Sequence, residues 1–365
     1  MNYLALIQLA IIGLLVALLP LTVVWASSDV NKCRKLVWVI VFLVFDLIIF
    51  GAFTRLTDSG LGCPDWPGCY GHANPFQAHA DISAAEALMP TGPVTVMKAW
   101  IEMIHRYLAM SVGVLITALM VITWRRWFRS GKAELGGAPW YAINLFGLVC
   151  VQGAFGAFTV TTKLQPVIVT THLLLGMTLL AQAAWSAARQ GEQLSIARTA
   201  TALHPFAVVA AILLFIQIAL GGWVSTNYAT LACTDFPLCH GVILPQMDFN
   251  NGFNLWRDLG KTASGEYLSF PALTAIHWMH RAFAFVVIGF VAWLAHKAMR
   301  VDALRKTACW ILIVLILQFT TGILTIFLQW PLVLAVAHNA GAALLVLLLT
   351  MLNYKTRIAA KAMTY

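Results

Sequence analysis

Four histidines, one glutamate and two pairs of cysteines carry the types and spacings that can do chemistry in this chain. The cysteines stand in CPDWPGC (Cys63 to Cys69) and CTDFPLC (Cys233 to Cys239), each pair six positions apart with proline between them. At that separation two thiols reach disulfide distance. Each pair therefore reads as a structural staple, with a redox role for Cys63 and Cys69 as the alternative. Zinc is a weaker reading, because no nearby histidine spacing completes a four-ligand set. Glu102 stands three residues before His105, so on a helix both lie on one face.

These residues sit in a chain that is 61% hydrophobic and only 10% charged, with a mean hydropathy of +0.82. So little polar surface excludes a soluble globule. Stretches near 3–26, 36–55, 97–124, 140–161, 167–188, 205–225, 271–296, 308–329 and 332–353 are long and apolar enough to cross a bilayer. Over such lengths in lipid only helices satisfy the backbone. The expectation is an all-α integral membrane protein with nine helices.

The net charge of +9 first suggests an anionic partner. The basic residues gather instead on alternate connections: Lys32, Arg34, Lys35; Arg125, Arg126, Arg129, Lys132; Arg189, Arg198; Lys297, Arg300, Arg305, Lys306; and Lys355, Arg357, Lys361. That distribution is a topology signal, placing these connections in the cytoplasm and both cysteine loops outside, where disulfides persist. Nucleic-acid binding is not expected. The first helix has no basic residue before it and reads as an anchor with its N-terminus outside.

The chain repeats itself. At an offset of 170, Gly51, Cys63, Asp65, Pro67, Cys69 and Gly71 meet Gly221, Cys233, Asp235, Pro237, Cys239 and Gly241. At 175, Ile104 to Arg106 meets Met279 to Arg281, and at 166, Gln152, Gly156, Thr159 and His172 meet Gln318, Gly322, Thr325 and His338. The architecture is thus two tandem four-helix bundles sharing one orientation, plus an extra N-terminal helix. The expected parts are residues 1–35 (extra helix and basic loop), 36–195 (first half) and 196–365 (second half and tail).

His105, His172, His280 and His338 occupy matched places, roughly 8–15 Å below the external surface at 1.5 Å per helical residue. Two imidazoles on facing helices in each half can ligate an iron porphyrin from both sides. The plainer reading, a buried polar residue bonded to a neighbouring helix, suits a single histidine better than a pair that occurs twice. His72, His79, His204, His240 and His296 fall in loops or at helix ends and read as ordinary polar residues. Cys33, Cys150 and Cys309 read as packing residues, and Asp46 is an intramembrane acid without an assigned role.

A carboxylate at the depth of Glu102 is costly unless it has a partner or a task; the plain alternative is an ion pair with Arg106 or Lys98. The second half has His277 at the matching position. An acid beside one pair of iron ligands marks the half where chemistry occurs, and the other half the holder of a permanent cofactor. Arg106 and Arg281 are candidate partners for porphyrin propionates, with snorkelling to the interface as the alternative.

FGAFTRLTDSGLGCPDWPGCYG (Phe50 to Gly71), EMIHR (Glu102 to Arg106), TTHLLLG (Thr170 to Gly176), HWMHR (His277 to Arg281) and AHNAGA (Ala337 to Ala342) resemble the haem A synthase family over roughly residues 40–353. The resemblance implies oxidation of the C8 methyl of haem O to a formyl group by successive hydroxylations. It implies His105 and His172 as holders of the substrate haem, His280 and His338 as iron ligands of a haem B cofactor, and Glu102 as essential near the reacting methyl. It further implies haem O synthase and terminal-oxidase assembly as pathway partners, in a bacterial inner membrane. The extra N-terminal helix departs from the family's plain eight-helix pattern. A dihaem cytochrome b working with a quinol, and a haem carrier without chemistry, are the rival functions; neither requires Glu102.

Overall fold

Nine stretches too apolar to remain in water have no unpaired backbone to offer lipid, and the computed structural model folds each into a helix. It describes residues 3–29, 31–131, 139–190 and 198–361. In order these form α1 (Tyr3–Ala26), α2 (Lys32–Leu56), α3 (His79–Leu88), α4 (Val96–Arg129), α5 (Trp140–Thr161), α6 (Pro166–Arg189), α7 (His204–Thr226), α8 (Phe249–Gly252), α9 (Phe270–Ala298), α10 (Asp302–Phe327) and α11 (Leu332–Lys361). A 3₁₀ turn, Arg198–Leu203, leads into α7. Among the described residues, nine of these helices are long and apolar enough to span a membrane, so the protein is a multi-pass membrane protein. Lys132 and the expected boundary between the halves lie outside the described residues.

The helices overrun the apolar stretches. α4 continues to Arg129, and α11 to Lys361; at the end of α4 the long side chains of Arg126 and Arg129 can keep their stems against apolar surface and their heads in water. The short helices α3 and α8 sit in the connections between spans and carry no apolar run by which hydropathy would find them.

The chain divides into two compact units, one of residues 1–164 and 178–190, the other of residues 165–177 and 191–365. In the first, α4 packs on α1, α2 and α5, and α1 also touches α2. The extra helix α1 closes on α4 through Gly13, where an added Cβ would stand 2.9 Å from Cβ of Met110. In the second unit α7, α9, α10 and α11 close a ring, each touching the next. The N-terminal end of α6 belongs there: Thr170 lies against Gly222 and meets the Thr226 hydroxyl at 3.4 Å, both on α7.

Candidate functional site: two disulfide loops and the helices beneath them

Each cysteine loop is a closed knot. Cys63–Cys69 and Cys233–Cys239 are disulfide-bonded, both with Cα atoms 4.9 Å apart. Inside each loop an aspartate turns back on its own backbone. Asp65 accepts from the N–H groups of Tyr70 (2.6 Å) and Gly71 (2.7 Å), and Asp235 from those of His240 and Gly241, both at 2.8 Å. Gly71 and Gly241 both hold φ at 75°, the left-handed region that glycine enters without steric cost. The disulfide cysteines are 0 to 2% exposed, so thiol exchange at either pair requires the loop to open.

Below each loop a helix supplies the acceptor that the first cysteine's N–H needs. In the first unit it is Glu102 of α4, whose Oε2 accepts from Cys63 N–H at 2.8 Å. In the second it is His277 of α9, whose Nδ1 accepts from Cys233 N–H at 3.1 Å. Glu102 also pairs through Oε1 with Arg106, one turn further along. Lys98 points elsewhere, to the Gly92 carbonyl at 3.0 Å. Arg106 in turn donates to the carbonyls of Asp65, Pro67 and Gly68, and Arg281 to those of Asp235 and Leu238 at 2.7 and 2.9 Å. Both arginines thus hold the loop backbone. They differ in that Arg106 is paired with Glu102, whereas Nη1 of Arg281 is buried without a hydrogen-bond partner.

The histidines lie against glycines. A Cβ built on Gly51 of α2 would stand 3.1 Å from Nε2 of His105, and one on Gly221 of α7 would stand 3.0 Å from Cε1 of His280. Gly322 of α10 faces His338 in the same way, at 3.1 Å from Cε1. Any larger residue would displace the ring. His105 is also stacked on Phe50, with centroids 6.3 Å apart and planes 11° from parallel. His172 lies six residues into α6, as His338 lies six residues into α11. All four imidazoles are half-buried.

In the second unit the rings have polar neighbours whose importance the sequence did not reveal. Gln217 of α7 lies with Nε2 3.1 Å from Nδ1 of His280, and Thr321 of α10 with its hydroxyl 3.0 Å from Nδ1 of His338. Both are polar residues one turn or less before a glycine in an apolar helix. Neither residue is matched at the offsets of the repeat, so only that placement marks them in the sequence.

The remaining polar residues take ordinary roles. His204 meets Thr356 at 3.2 Å, His240 meets the Ala232 carbonyl at 2.8 Å, and His296 meets Arg300 at 3.3 Å. Cys33 is buried and Cys309 is half-buried 3.8 Å from the Met299 sulfur, in line with packing roles, whereas Cys150 faces outward. Asp46 likewise faces outward from α2. No cluster of three or more His, Cys, Asp or Glu side chains able to hold a bare metal ion occurs among the described residues.

A family model described as COX15-CtaA, cytochrome oxidase assembly protein, matches residues 34–350. The chain is 39% identical over 330 residues to the haem A synthase of Shewanella oneidensis, covering 88% of this chain and 96% of that protein. It is 30% identical to the haem A synthase of Erythrobacter litoralis, over 85% of this chain and 93% of the relative. With that of a Bradyrhizobium species the identity is 28%, over 91% and 93%. A helical membrane chain with two disulfide loops, each hydrogen-bonded to the helix that carries a His-Arg pair, and matched over this length, belongs to the COX15-CtaA family of cytochrome oxidase assembly proteins.

Proposed function

We propose that this chain is a haem A synthase in which His280 and His338 hold a haem B, while His105 and His172 serve the haem O substrate. The observation that carries the division is the exchange of Glu102 for His277 at one structural position. In the first half the guanidinium of Arg106 is already neutralised by Glu102. In the second, Arg281 has no acid in that place and keeps a buried N–H unspent.

The residues of the second half fit an iron porphyrin. The Thr321 hydroxyl donates to the Gln318 carbonyl at 3.1 Å, so its oxygen accepts from Nδ1–H of His338, leaving Nε2 with the lone pair that iron needs. The spare Nη1 of Arg281 suits a propionate as a charge-assisted donor. When bound, haem B would supply one-electron redox capacity.

What remains falls to this chain's own residues. A ring methyl is not acidic, and its oxidation to a formyl group releases protons as well as electrons. Glu102, one turn from His105 and 4% exposed, is the group positioned to hold a proton or to balance positive charge developing at the methyl carbon. Its hydrogen bond from Cys63 and its ion pair with Arg106 fix the carboxylate in place, and fixed charge in a water-poor site acts more strongly than in water. The disulfide loop lies directly over Glu102, joined to it by the Cys63 N–H. The basic ends of α4, α6, α9 and α11 face the cytoplasm by the positive-inside rule, which puts the cysteine loops and the imidazoles near the outer side of a bacterial inner membrane. Haem O synthase upstream and oxidase assembly downstream are the matching partners, and the farnesyl tail of haem O suits lateral approach from the bilayer.

The test is to purify wild type and Glu102→Ala from a host that supplies haem O, and to identify every extracted haem by chromatography and mass. Wild type should yield haem A with haem B, and the variant haem B with haem O or a hydroxylated intermediate. Haem B alone in both, at two per chain, would make the protein an electron-transfer cytochrome.

A further inference from the structure

We infer that α1 is a positioning element for Glu102, holding through Leu9 and Gly13 both the helix and the loop that fix its carboxylate. The inference rests on the role given to Glu102 above. α1 (Tyr3–Ala26) lies ahead of residues 34–350, the stretch that the family model matches. A membrane anchor needs only apolar surface, whereas this helix is two-sided. Ala5, Leu9, Gly13 and Ala17 form a buried stripe at every fourth position, while Ile7, Ile11, Leu15 and Leu19 are each more than half exposed. The buried side packs on α4, the helix that carries Glu102 and His105.

Gly13 sets how near the two helices come. A Cβ there would stand 2.9 Å from Cβ of Met110 and 3.5 Å from its backbone carbonyl carbon, so a larger residue pushes α1 off α4. One turn earlier, Leu9 enters the apolar cluster that holds Cys63, Cys69, Ala99 and Met103, with Tyr107 and Met110 packed against it. Leu9 is therefore packed with both sides of one hydrogen bond: the loop that donates Cys63 N–H, and the turn of α4 that presents Glu102. Two further contacts tie that loop to α4. The Tyr107 hydroxyl donates to the Ala73 carbonyl at 2.7 Å, and a Cβ on Gly62 would stand 2.6 Å from the Ala99 nitrogen.

The place of the carboxylate is set by the spacing between α4 and the loop, because Glu102 rides on the first and is bonded by the second. Without α1 the cluster around Met103 and the disulfide lacks one wall, and the loop is free to lift. A displacement of about 1 Å at a reacting group can cost about 10²-fold in rate. The repeat supplies an internal reference. α1 belongs to the first compact unit and Cys233–Cys239 to the other, so what α1 does to a loop is confined to Cys63–Cys69.

The experiment uses the full-length purified protein and follows three quantities: the rate at which a phosphine reagent reduces each disulfide, read by maleimide labelling and peptide mass, the kcat and KM for haem O, and the haem B content. Gly13→Leu and Leu9→Ala should each speed reduction of Cys63–Cys69 about 10-fold and lower kcat about 10-fold with KM near wild type. Reduction of Cys233–Cys239 and haem B content should not change. Leu9→Met keeps the volume and Ile11→Ala lies on the exposed side, so both should match wild type. Wild-type rates in Gly13→Leu and Leu9→Ala would make α1 an anchor only and overturn the inference. Equal acceleration of both disulfides, or loss of haem B, would overturn it too, since the helix would then support the whole chain. Failure of the underlying reading shows elsewhere: Glu102→Gln turning over like wild type overturns both, whereas an inactive Glu102→Gln beside unaffected α1 variants overturns this inference alone.

Discussion

Glu102 and His277 perform one backbone task with different chemistry: each accepts the N–H of the first cysteine in the loop above it, at 2.8 and 3.1 Å. The carboxylate brings a negative charge that pairs with Arg106; the imidazole serves as a neutral acceptor. Because the loop needs an acceptor in both halves, the acid in the first half cannot be explained by the loop alone.

Glu102→Gln separates the two duties. The amide still accepts from Cys63 but carries no charge, so the fold should survive while haem A formation falls about 10²- to 10⁴-fold, the usual range for a lost acid–base group. Glu102→Ala should in addition destabilise the protein by about 1–3 kcal/mol, because the buried Cys63 N–H is left without an acceptor. Haem extraction and thermal unfolding of both variants check this; equal turnover in wild type and Glu102→Gln would remove Glu102 from the chemistry.

Replacing the histidines one at a time should split the haems by half. His280→Ala or His338→Ala should lose haem B, whereas His105→Ala or His172→Ala should keep haem B and lose turnover. Pyridine haemochrome content beside product analysis reads both quantities.

The glycines facing the rings give a gentler probe. Gly221→Ala places a methyl 3.0 Å from Cε1 of His280, which forces the imidazole to shift. Retained haem B should drop with no change in the helical circular dichroism signal. Gly51→Ala, at 3.1 Å from Nε2 of His105, should spare haem B and lower turnover.

The buried disulfides predict slow chemistry. In the folded protein neither pair should be reduced at low reductant concentration, and maleimide should label Cys63, Cys69, Cys233 and Cys239 only after reduction under denaturing conditions. A Cys63→Ser/Cys69→Ser double variant should lose about 2 kcal/mol, as expected for a loop this short. If it is stable yet inactive, the pair has a redox task beyond stapling.

The second loop should also respond to acid. The N–H of Gly241, and then that of His240, hold the Asp235 carboxyl below its ordinary value of 3.8. A depressed carboxyl stabilises the fold above its unfolded pKa, and that contribution is lost as pH falls through the lower folded value. Reduction of Cys233–Cys239 by a phosphine reagent should therefore be insensitive to pH from neutral down to about 4 and accelerate below it, and Asp235→Asn should be fast throughout.

The sequence by itself determined the nine membrane-length helices and the repeat of their motifs. In lipid a long apolar run has one way to satisfy its backbone, so composition and length are enough. The same local logic predicted both disulfides, which link residues six apart. Tertiary structure decided what meets what. Cys63 and Glu102 are 39 residues apart, and Gln217 and His280 are 63 apart. Such contacts depend on how far each helix is rotated about its axis and how each loop folds back, and no local pattern encodes either. For the same reason Arg106 and Arg281, which from sequence could equally have snorkelled to the interface, turn inward to loop carbonyls, and the spare N–H of Arg281 became visible only once those partners were known.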